Sequence, residues 1–249
     1  MKKLITIVIS AYNEELVLDK LYEKLKYFMS TIRKYDFEVI IVDNGSADKT
    51  FEILKKINSK DKRFKIVQLS RNFGPGGGQS AGIKFAKGDA LVLMDADLQD
   101  PPEVISEFIS KWEQGYEITY GVITKRKGVS VIRKIVSPIF YWIIYVFSHK
   151  QIPKNATDFR LVDKKVYQQI NVMSEHNRYI RGMISWTGFK QIGVPFVRQP
   201  RAEKGGGAGG EVDFRLFRFV SRMIKFMSDA IFSFTTFPLK LISLAGVIT

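Results

Sequence analysis

The sequence predicts an α/β domain with a mainly parallel, mixed β-sheet and flanking helices, followed by juxtamembrane amphipathic helices and the start of a transmembrane region. Two observations predict the domain. Short runs rich in Ile and Val alternate with helical stretches through the first half, and polar motifs follow three of these runs. A third observation predicts the membrane-facing part: from about residue 131 the chain becomes rich in apolar and basic stretches.

The predicted strands are four short apolar runs, Leu4–Ser10, Phe37–Asp43, Phe64–Leu69 and Ala90–Asp95. The predicted helices lie between and after them, over Glu14–Lys34, Ala47–Asn58, Gly78–Ala86 and Pro102–Gln114. Strands that alternate with helices in this way favour a parallel sheet covered on both faces. The basic start and apolar run at residues 1–10 have no small-residue cleavage site after them, so they indicate a strand and not a signal peptide.

Two carboxylates one residue apart, Asp95 and Asp97, follow the fourth predicted strand. Open α/β sheets bind their ligands at the carboxyl ends of the strands. Side chains two positions apart in an extended segment point the same way, so both acids and Gln99 can face one point. Hard oxygen ligands of this kind suit Mg²⁺ or Mn²⁺, with a diphosphate completing the shell. The alternative is an acidic loop that caps the helix beginning at Pro101.

Two further polar motifs follow the first and second predicted strands, at residues 10–15 and 42–50. Each has an ordinary structural interpretation. The Asn13-Glu14-Glu15 segment could cap a helix, and the segment from Asp43 to Ser46 could form a turn before a capping residue. Three such motifs at the strand ends of one sheet are much less expected by chance, which favours a shared ligand site.

Composition sets the class of protein. The 249 residues fit one large domain, or one domain with an appendage, and 45% hydrophobic against 26% charged residues excludes global disorder. The absence of cysteine excludes disulfides and thiolate metal sites. The net charge of +14 favours anionic partners. Its basic clusters lie in the second half beside apolar stretches, which favours a membrane surface over nucleic acid.

The second half contains three apolar segments. Residues 138–147 carry no charge and five aromatics, too short for a span of about 20 residues, and fit either a buried core helix or an interfacial one. Residues 214–227 place basic and apolar side chains on opposite helix faces, which indicates a membrane-surface helix or one packed on the domain. Residues 239–249 resemble the beginning of a transmembrane helix.

Together with the segment Ser70-Arg71-Asn72-Phe73-Gly74, the three motifs resemble those of the glycosyltransferases with the A-type fold. The resemblance is greatest to the polyprenyl-phosphate glycosyltransferases of family 2, the group of dolichyl-phosphate mannose synthase and the bactoprenol glucosyltransferases. It runs from Leu4 to about Arg201 and resumes at Phe214. It implies a catalytic domain over residues 1–212 with an interfacial helix near 131–147, a juxtamembrane amphipathic helix over 213–230, and the start of a transmembrane segment over 231–249.

By this resemblance, the site residues fall into four groups. The expected nucleotide-binding residues are Ala11, Tyr12, Glu14, Asp43, Asn44, Asp95 and Ala96. The expected ligands of Mg²⁺ or Mn²⁺ are Asp95, Asp97 and Gln99. Asp158 matches the family's Asp-Phe-Arg segment and would orient the acceptor or sugar, or act as a base, unless it is a helix N-cap. The expected acceptor-phosphate residues, otherwise a solvated basic face, are Arg126, Arg133, Ser137 and Arg201.

Two departures from the family pattern affect these expectations. Related enzymes usually carry a basic, hydroxyl-rich loop after the position of Arg201, where this chain has Glu203-Lys204 and then a glycine-rich run to Gly210. The second motif reads Asp43-Asn44 where a pair of acids is common, which removes one charge beside the nucleotide.

The expected reaction moves one hexose, glucose from UDP-glucose, to undecaprenyl or another polyprenyl phosphate with inversion, on the cytoplasmic face of the inner membrane. A UDP-sugar is favoured over a GDP-sugar, nucleic acid is not expected as a partner, and a homo-oligomer is compatible with the sequence. Three alternatives remain. The first is a processive polysaccharide synthase, but this chain lacks the Gln-x-x-Arg-Trp motif of those enzymes near Trp186. The others are a non-catalytic nucleotide-sugar-binding membrane protein and a nucleic-acid binder, for which the chain shows no recognition motif.

Overall fold

The computed structural model describes residues 2–126, 156–175 and 178–200. The strands of this part are β1 (Leu4–Ala11), β2 (Asp36–Asp43), β3 (Phe64–Gln68), β4 (Ala90–Asp95), β5 (Ile118–Arg126), β6 (Ala156–Asp163) and β7 (Gln191–Arg198). Its helices are α1 (Leu18–Thr31), α2 (Thr50–Lys60), α3 (Gly74–Phe85), α4 (Val104–Glu113), α5 (Lys164–Val172) and α6 (Ile180–Trp186).

The strands form one mixed sheet in the order β3-β2-β1-β4-β6-β5-β7. The first four strands of that order are parallel, and β6 runs antiparallel to both β4 and β5, whereas β7 is parallel to β5. The carboxyl ends of six strands and the amino end of β6 therefore share one edge of the sheet, which we call the carboxyl edge. The opposite edge is called the amino edge below.

Helices cover both faces of the sheet. One face packs against α1, α2 and α4, and the other packs against α3, α5 and α6. Helix α1 contributes apolar side chains spaced three or four residues apart, the spacing that places them on one helical face: Leu18, Leu21, Tyr22, Leu25, Phe28 and Met29. The inner strands are buried on both faces, so their sequences are almost continuously apolar, as in parallel sheets generally.

The four predicted strands are confirmed within one residue at each end. Helices α1 and α2 begin three or four residues later than the sequence predicts, because the residues before them are used in contacts between loops. Helix α3 begins four residues earlier than predicted. Its Pro75 sits in the first turn, where no backbone N–H is needed, so the glycine-rich start is compatible with a helix.

The predicted segments at 131–147, 213–230 and 231–249 lie outside the described residues. Among the residues that the structure does describe, no helix has both the length and the apolar character needed to cross a membrane.

Candidate functional site

The carboxyl edge brings together the three polar motifs that the sequence places after strands. Ala11 lies opposite Asp43 in the register of β1 and β2, and Ser10 lies opposite Asp95 in the register of β1 and β4. The three motifs are therefore immediate neighbours, as predicted from the strand ends.

The loops after β1 and β2 are joined by five hydrogen bonds. Each pairs a backbone N–H with a side-chain oxygen of the other loop: Asn13 N to Ser46 Oγ, Ala47 N to Asn13 Oδ1, Glu14 N to Thr50 Oγ1, Glu15 N to Asp48 Oδ2, and Lys49 N to Glu15 Oε2, at 2.9–3.2 Å. Much of the polar character of these motifs thus serves to fix the two loops against each other. Glu14 itself is buried, whereas the ring of Tyr12 is 40% exposed beside it.

Asp43 and Asn44 have different roles although the sequence predicts both beside the nucleoside. The Asp43 carboxylate is fully buried; its Oδ1 accepts a hydrogen bond from Ser46 N at 3.0 Å, and its Oδ2 has no hydrogen-bond partner among the described residues. The Asn44 amide bonds to backbone through both of its groups, because Nδ2 donates to Gly74 O at 2.9 Å and Oδ1 accepts from Phe73 N at 3.0 Å. Asn44 therefore anchors the loop that enters α3.

Gly45 allows that loop to approach. Its φ of +72° lies in the left-handed region, and a Cβ placed there would lie 2.5 Å from the carbonyl carbon of Arg71. The backbone contact holds residues 70–74 at the carboxyl edge, where the Arg71 guanidinium lies 4.2 Å from the centre of the Phe73 ring. The segment that extends the family resemblance is thus part of the site's rim.

The segment after β4 presents alternate side chains to the cleft. Asp95, Asp97 and Gln99 are partly exposed, whereas Ala96 and Leu98 are buried between them. Asp97 Oδ1 accepts a hydrogen bond from Gln99 N at 3.1 Å and so closes its own turn. The alternative that these acids cap the next helix is wrong, because α4 begins after Glu103 with no side-chain cap.

Arg198, at the end of β7, contacts this acidic segment. Its Nη2 lies 3.5 Å from Asp95 Oδ2 and its Nε lies 3.1 Å from Oδ1 of the buried Asp100. The following residue continues the contact, since Gln199 N donates to Gln99 O at 3.0 Å and Gln99 Nε2 donates to Gln199 O at 3.2 Å. The side-chain nitrogen of Gln99, a predicted metal ligand, is therefore bonded to the chain after β7.

Asp158 enters the same edge from the antiparallel strand β6. It lies inside the strand, so the alternative that it caps a helix is wrong; Asp163 performs that role for α5, accepting from Lys165 N at 3.0 Å. The Asp158 carboxylate receives two hydrogen bonds from Arg181 of α6, from Nε at 2.9 Å and from Nη2 at 2.7 Å. This is a bidentate pair, the strongest ordinary form of an Arg–carboxylate contact.

Burial and charged neighbours shift the pKa values of three acids in the cleft. Burial, with the nearby carboxylates of Asp158, Asp100 and Asp97, raises the pKa of Asp95 to about 7. Burial also raises the pKa of Asp100 to about 6, and the Arg198 guanidinium opposes that rise. Burial acts in the same direction on Asp158, but the charge and hydrogen bonds of Arg181, with the charges of Arg160 and Arg198, outweigh it and hold its pKa below the ordinary value.

These charges fit a divalent cation. Among the described residues, the carboxylates of Asp95, Asp97, Asp100 and Asp158 lie near the guanidiniums of Arg160, Arg181 and Arg198, and a bound cation would offset the repulsion among the acids. No group of three or more His, Cys, Asp or Glu side chains that could hold a metal occurs in the described residues. Mg²⁺ is commonly held by one or two carboxylates with substrate phosphates and water, so Asp95 and Asp97 suffice only with a phosphate ligand present.

The remaining predicted residues are placed as follows. The Ala11 carbonyl accepts from Asn44 N at 2.8 Å, and Arg126 is the last residue of β5 at the carboxyl edge. Arg133, Ser137 and Arg201 lie outside the described residues.

Sequence reasoning did not assign Arg181 or Arg198 to the site. Arg181 carries no local signal, since its partner lies 23 positions away in the chain. In the sequence, Arg198 belongs to one of the basic clusters that favour a membrane surface. Its position at the end of an apolar run could have placed it at a strand end.

Comparison with known proteins agrees with this fold. The pattern of glycosyl transferase family 2 matches residues 6–187. The chain is 41% identical over 243 residues to an uncharacterized glycosyltransferase of Bacillus subtilis, YkcC, covering 98% of this chain and 72% of the relative. It is 30% identical over 244 residues to the prophage bactoprenol glucosyl transferase homolog of Escherichia coli K12, covering 98% and 76%.

A solved structure shares the fold at low identity. Glucosyl-3-phosphoglycerate synthase from Mycobacterium tuberculosis, in complex with Mn²⁺, uridine diphosphate and glucosyl-3-phosphoglycerate, matches with a TM-score of 0.58 and 13% identity, over 92% of this chain and 80% of that one. The A-type α/β fold with a mixed sheet, predicted from the motifs, is thereby confirmed.

Proposed function

The chain belongs to glycosyl transferase family 2 and is a nucleotide-sugar-dependent hexosyltransferase, and we propose that it transfers glucose from UDP-glucose to a polyprenyl phosphate with inversion. The observation that carries the proposal is the meeting of Asp43, the Asp95–Asp97 segment and Asp158 at one edge of the sheet. The lipid acceptor is supported by the bactoprenol glucosyl transferases among the relatives, which match nearly the full length of this chain.

Asp43 is the proposed contact to the nucleoside. Its Oδ2 is buried and has no partner in the described part of the chain, and a buried acceptor of this kind is costly unless a ligand supplies the donor. The N–H of a base or a ribose hydroxyl supplies such a donor. The exposed ring of Tyr12 and the backbone of Ala11 lie at the same strand end, and we assign them to the same nucleoside pocket.

Asp95 and Asp97 are the proposed residues for Mg²⁺ or Mn²⁺, together with the diphosphate of the donor, and Gln99 and Ala96 lie in the same segment. When bound, the cation supplies positive charge to the departing nucleoside diphosphate. Burial of Asp95 and the like charges around it support this assignment, because both disfavour its ionised form until a cation is present.

The reaction needs little proton transfer. A phosphate monoester has a second pKa of about 6, so the acceptor oxygen is already largely ionised at neutral pH. That oxygen forms a bond to the anomeric carbon while the bond to the diphosphate breaks, and the electron pair leaves with the nucleoside diphosphate. Positioning and charge stabilisation then supply most of the rate. Asp158 is proposed to orient the sugar or acceptor during this displacement.

We further propose that the protein works at the cytoplasmic face of the inner membrane. The basic and aromatic segments at 131–147 and 213–230, and the apolar segment at 231–249, support this proposal through their sequence. The residues proposed to bind the acceptor phosphate are Arg126, Arg133, Ser137 and Arg201. We also propose that the protein self-associates through its apolar segments.

The test is transfer of label into lipid. The purified protein in phospholipid vesicles, with undecaprenyl phosphate and Mn²⁺ or Mg²⁺, is given radiolabelled UDP-glucose, UDP-N-acetylglucosamine or GDP-mannose. We expect metal-dependent label in the lipid phase from UDP-glucose, and a loss of at least about 100-fold in Asp97→Ala. The control is Asp36→Ala, which removes an exposed acid at the amino edge and leaves activity unchanged.

No lipid label with any donor, from a protein that still binds a nucleotide sugar, contradicts the lipid acceptor. Label from GDP-mannose alone keeps the lipid acceptor and overturns the donor.

A further inference from the structure

Asp158 is held more firmly than any other acid of the cleft. Its side chain receives both bonds from Arg181, whereas the backbone beside it is fixed separately: Arg160 Nη2 donates to Thr157 O at 2.5 Å, and Thr157 Oγ1 donates to Gly121 O at 3.1 Å. Three contacts from β5, β6 and α6 therefore determine where the carboxylate lies. Among the described residues, the proposed metal ligands are held differently, since Asp97 accepts from Gln99 N of its own turn and Asp95 lies 3.5 Å from a single arginine nitrogen, Arg198 Nη2.

The carboxylate remains available to a ligand despite this support. The Asp158 side chain is 40% exposed, whereas Arg181 behind it is only 9% exposed. Each carboxylate oxygen has two lone pairs, and Arg181 uses one on each oxygen. The other two leave capacity for further hydrogen bonds on this partly exposed side chain, so the pair presents a fixed negative acceptor next to a buried cation.

We propose that Arg181 is a positioning residue of this enzyme, which fixes Asp158 as a permanently ionised acceptor for a hydroxyl of the transferred sugar and not as a proton carrier. The inference rests on the proposed function, because the sugar is that of the nucleotide donor. Asp158 then gains no proton in the cycle, which is consistent with an acceptor phosphate that is already ionised.

The surrounding charges explain why the arginine is needed. Asp95 and Asp100, on the segment after β4, place negative charge near Asp158, and Arg160 and Arg198 place positive charge on β6 and β7. Without Arg181, burial and the two acids favour the protonated form of Asp158. A protonated carboxyl would donate through one oxygen and would rotate, so the sugar hydroxyl would lose a fixed partner.

The test compares Arg181→Gln with Arg181→Lys. Glutamine removes the charge, whereas lysine keeps a charge but cannot form the two parallel bonds. We expect Arg181→Gln to lower kcat for lipid-linked product by about 10- to 100-fold with the donor KM changed less than about threefold. We also expect the acid limb of its pH profile to move up by about one pH unit or more. Arg181→Lys should restore the pH profile but only part of kcat.

The matched control is Arg63→Gln. Arg63 forms a similar bidentate pair with Asp61, in the exposed loop between α2 and β3. Its removal tests the general effect of losing such a pair and should leave kcat and the pH profile unchanged.

A second measurement does not depend on activity. Carbon-13 NMR of the wild-type protein labelled at aspartate carboxyls, with Asp158→Asn to assign the signal, should show Asp158 ionised to below its ordinary pKa. A normal or raised pKa in the wild type overturns the proposal, as does an Arg181→Gln variant with unchanged kcat and pH profile. If the wild type transfers no sugar to lipid, the proposed function fails, while the NMR titration still decides the role of Arg181.

Discussion

Strand β2 carries two buried carboxylates, Glu38 near its start and Asp43 at its end, and the two differ in how many hydrogen bonds they accept from the described residues. Glu38 accepts hydrogen bonds from Thr6 Oγ1 at 2.6 Å and Lys87 N at 2.9 Å, and it pairs with Lys65. Asp43 accepts one bond, from Ser46 N, and its second oxygen has no partner among the described residues. Glu38 belongs to a closed structural network, whereas Asp43 keeps acceptor capacity for a ligand.

The same difference separates the two edges of the sheet. At the amino edge, the charged and polar side chains find partners within the protein: Glu113 with Lys34 and Tyr35, and Asp163 with the Trp112 ring nitrogen. At the carboxyl edge, several acids of the described residues lie close together, and burial with the neighbouring carboxylates raises the pKa of Asp95 to about 7. The amino-edge charges named here are satisfied within the folded chain, whereas Asp43 keeps an oxygen without a partner among the described residues and Asp95 lies among like charges.

The largest effect on stability should come from removing Glu38 from its hydrogen-bond network with Thr6, Lys65 and Lys87. Glu38→Ala leaves the Thr6 hydroxyl, the Lys87 N–H and the Lys65 ammonium without their acceptor, and leaving a buried donor such as the Thr6 hydroxyl unsatisfied costs about 1–3 kcal/mol. We expect a marked fall in the urea midpoint of unfolding at pH 7. Nucleotide affinity of the folded protein, measured by calorimetry, should stay the same. Weakened nucleotide binding would show that the two acids are not separate in function.

Asp43→Asn should have the reverse pattern. The substitution keeps an oxygen for Ser46 N but places an N–H₂ group where the free Oδ2 acceptor lies. We expect the Kd for the nucleotide sugar to rise about tenfold, or 1.4 kcal/mol. Stability without ligand should not fall, because the bond from Ser46 N is kept and Oδ2 has no partner among the described residues to lose. A clear loss of stability with unchanged affinity would make Asp43 a structural acid like Glu38.

The comparison also explains which parts of the fold the sequence reveals. Strands such as Ala90–Asp95 are buried on both faces, so their runs of Val, Leu and Met locate them to the residue. Helix starts were less predictable. The residues before α1 look like a helical turn in sequence, yet Asn13 and Glu15 bond to the neighbouring loop, and no local pattern encodes that partner. The sequence pattern also did not predict the antiparallel strand β6, because the direction in which a strand pairs depends on strands that are distant in the sequence.

The site shows the same limit. Acids that follow strands can be located from the order of elements alone, so Asp43, Asp95 and Asp97 could be selected. Arg181 and Arg198 reach the site only through folding, and their partners lie far away in the sequence. The motif predicts Asn44 as a nucleoside contact, but it does not reveal the bonds of the Asn44 amide to the backbone of Phe73 and Gly74.

A smaller effect should appear in the pH dependence of stability. Burial raises the pKa of Glu38, but its bonds from Lys65, Thr6 and Lys87 outweigh burial and hold it below the ordinary 4.5. A depressed pKa means that the ionised form stabilises the fold above pH 4.5, and this contribution disappears as the pH falls through the lower, folded value. Thermal unfolding of wild type and Glu38→Gln should therefore differ at pH 6 and converge toward pH 3. A constant difference across that range would remove the charge from the explanation.

The smallest effect should come from the exposed pair at the amino edge. Lys34 and Glu113 lie 2.8 Å apart, but their side chains are 69% and 38% exposed, so water competes with the contact. Lys34→Gln should cost less than about 0.5 kcal/mol in urea unfolding, and the difference should shrink further in 0.5 M salt. The matched change at the closed network is Lys65→Gln, whose partner Glu38 is buried and should respond more strongly and with little salt dependence. Equal losses for the two lysines would mean that proximity alone, and not burial of the acid, determines how much these pairs stabilise the fold.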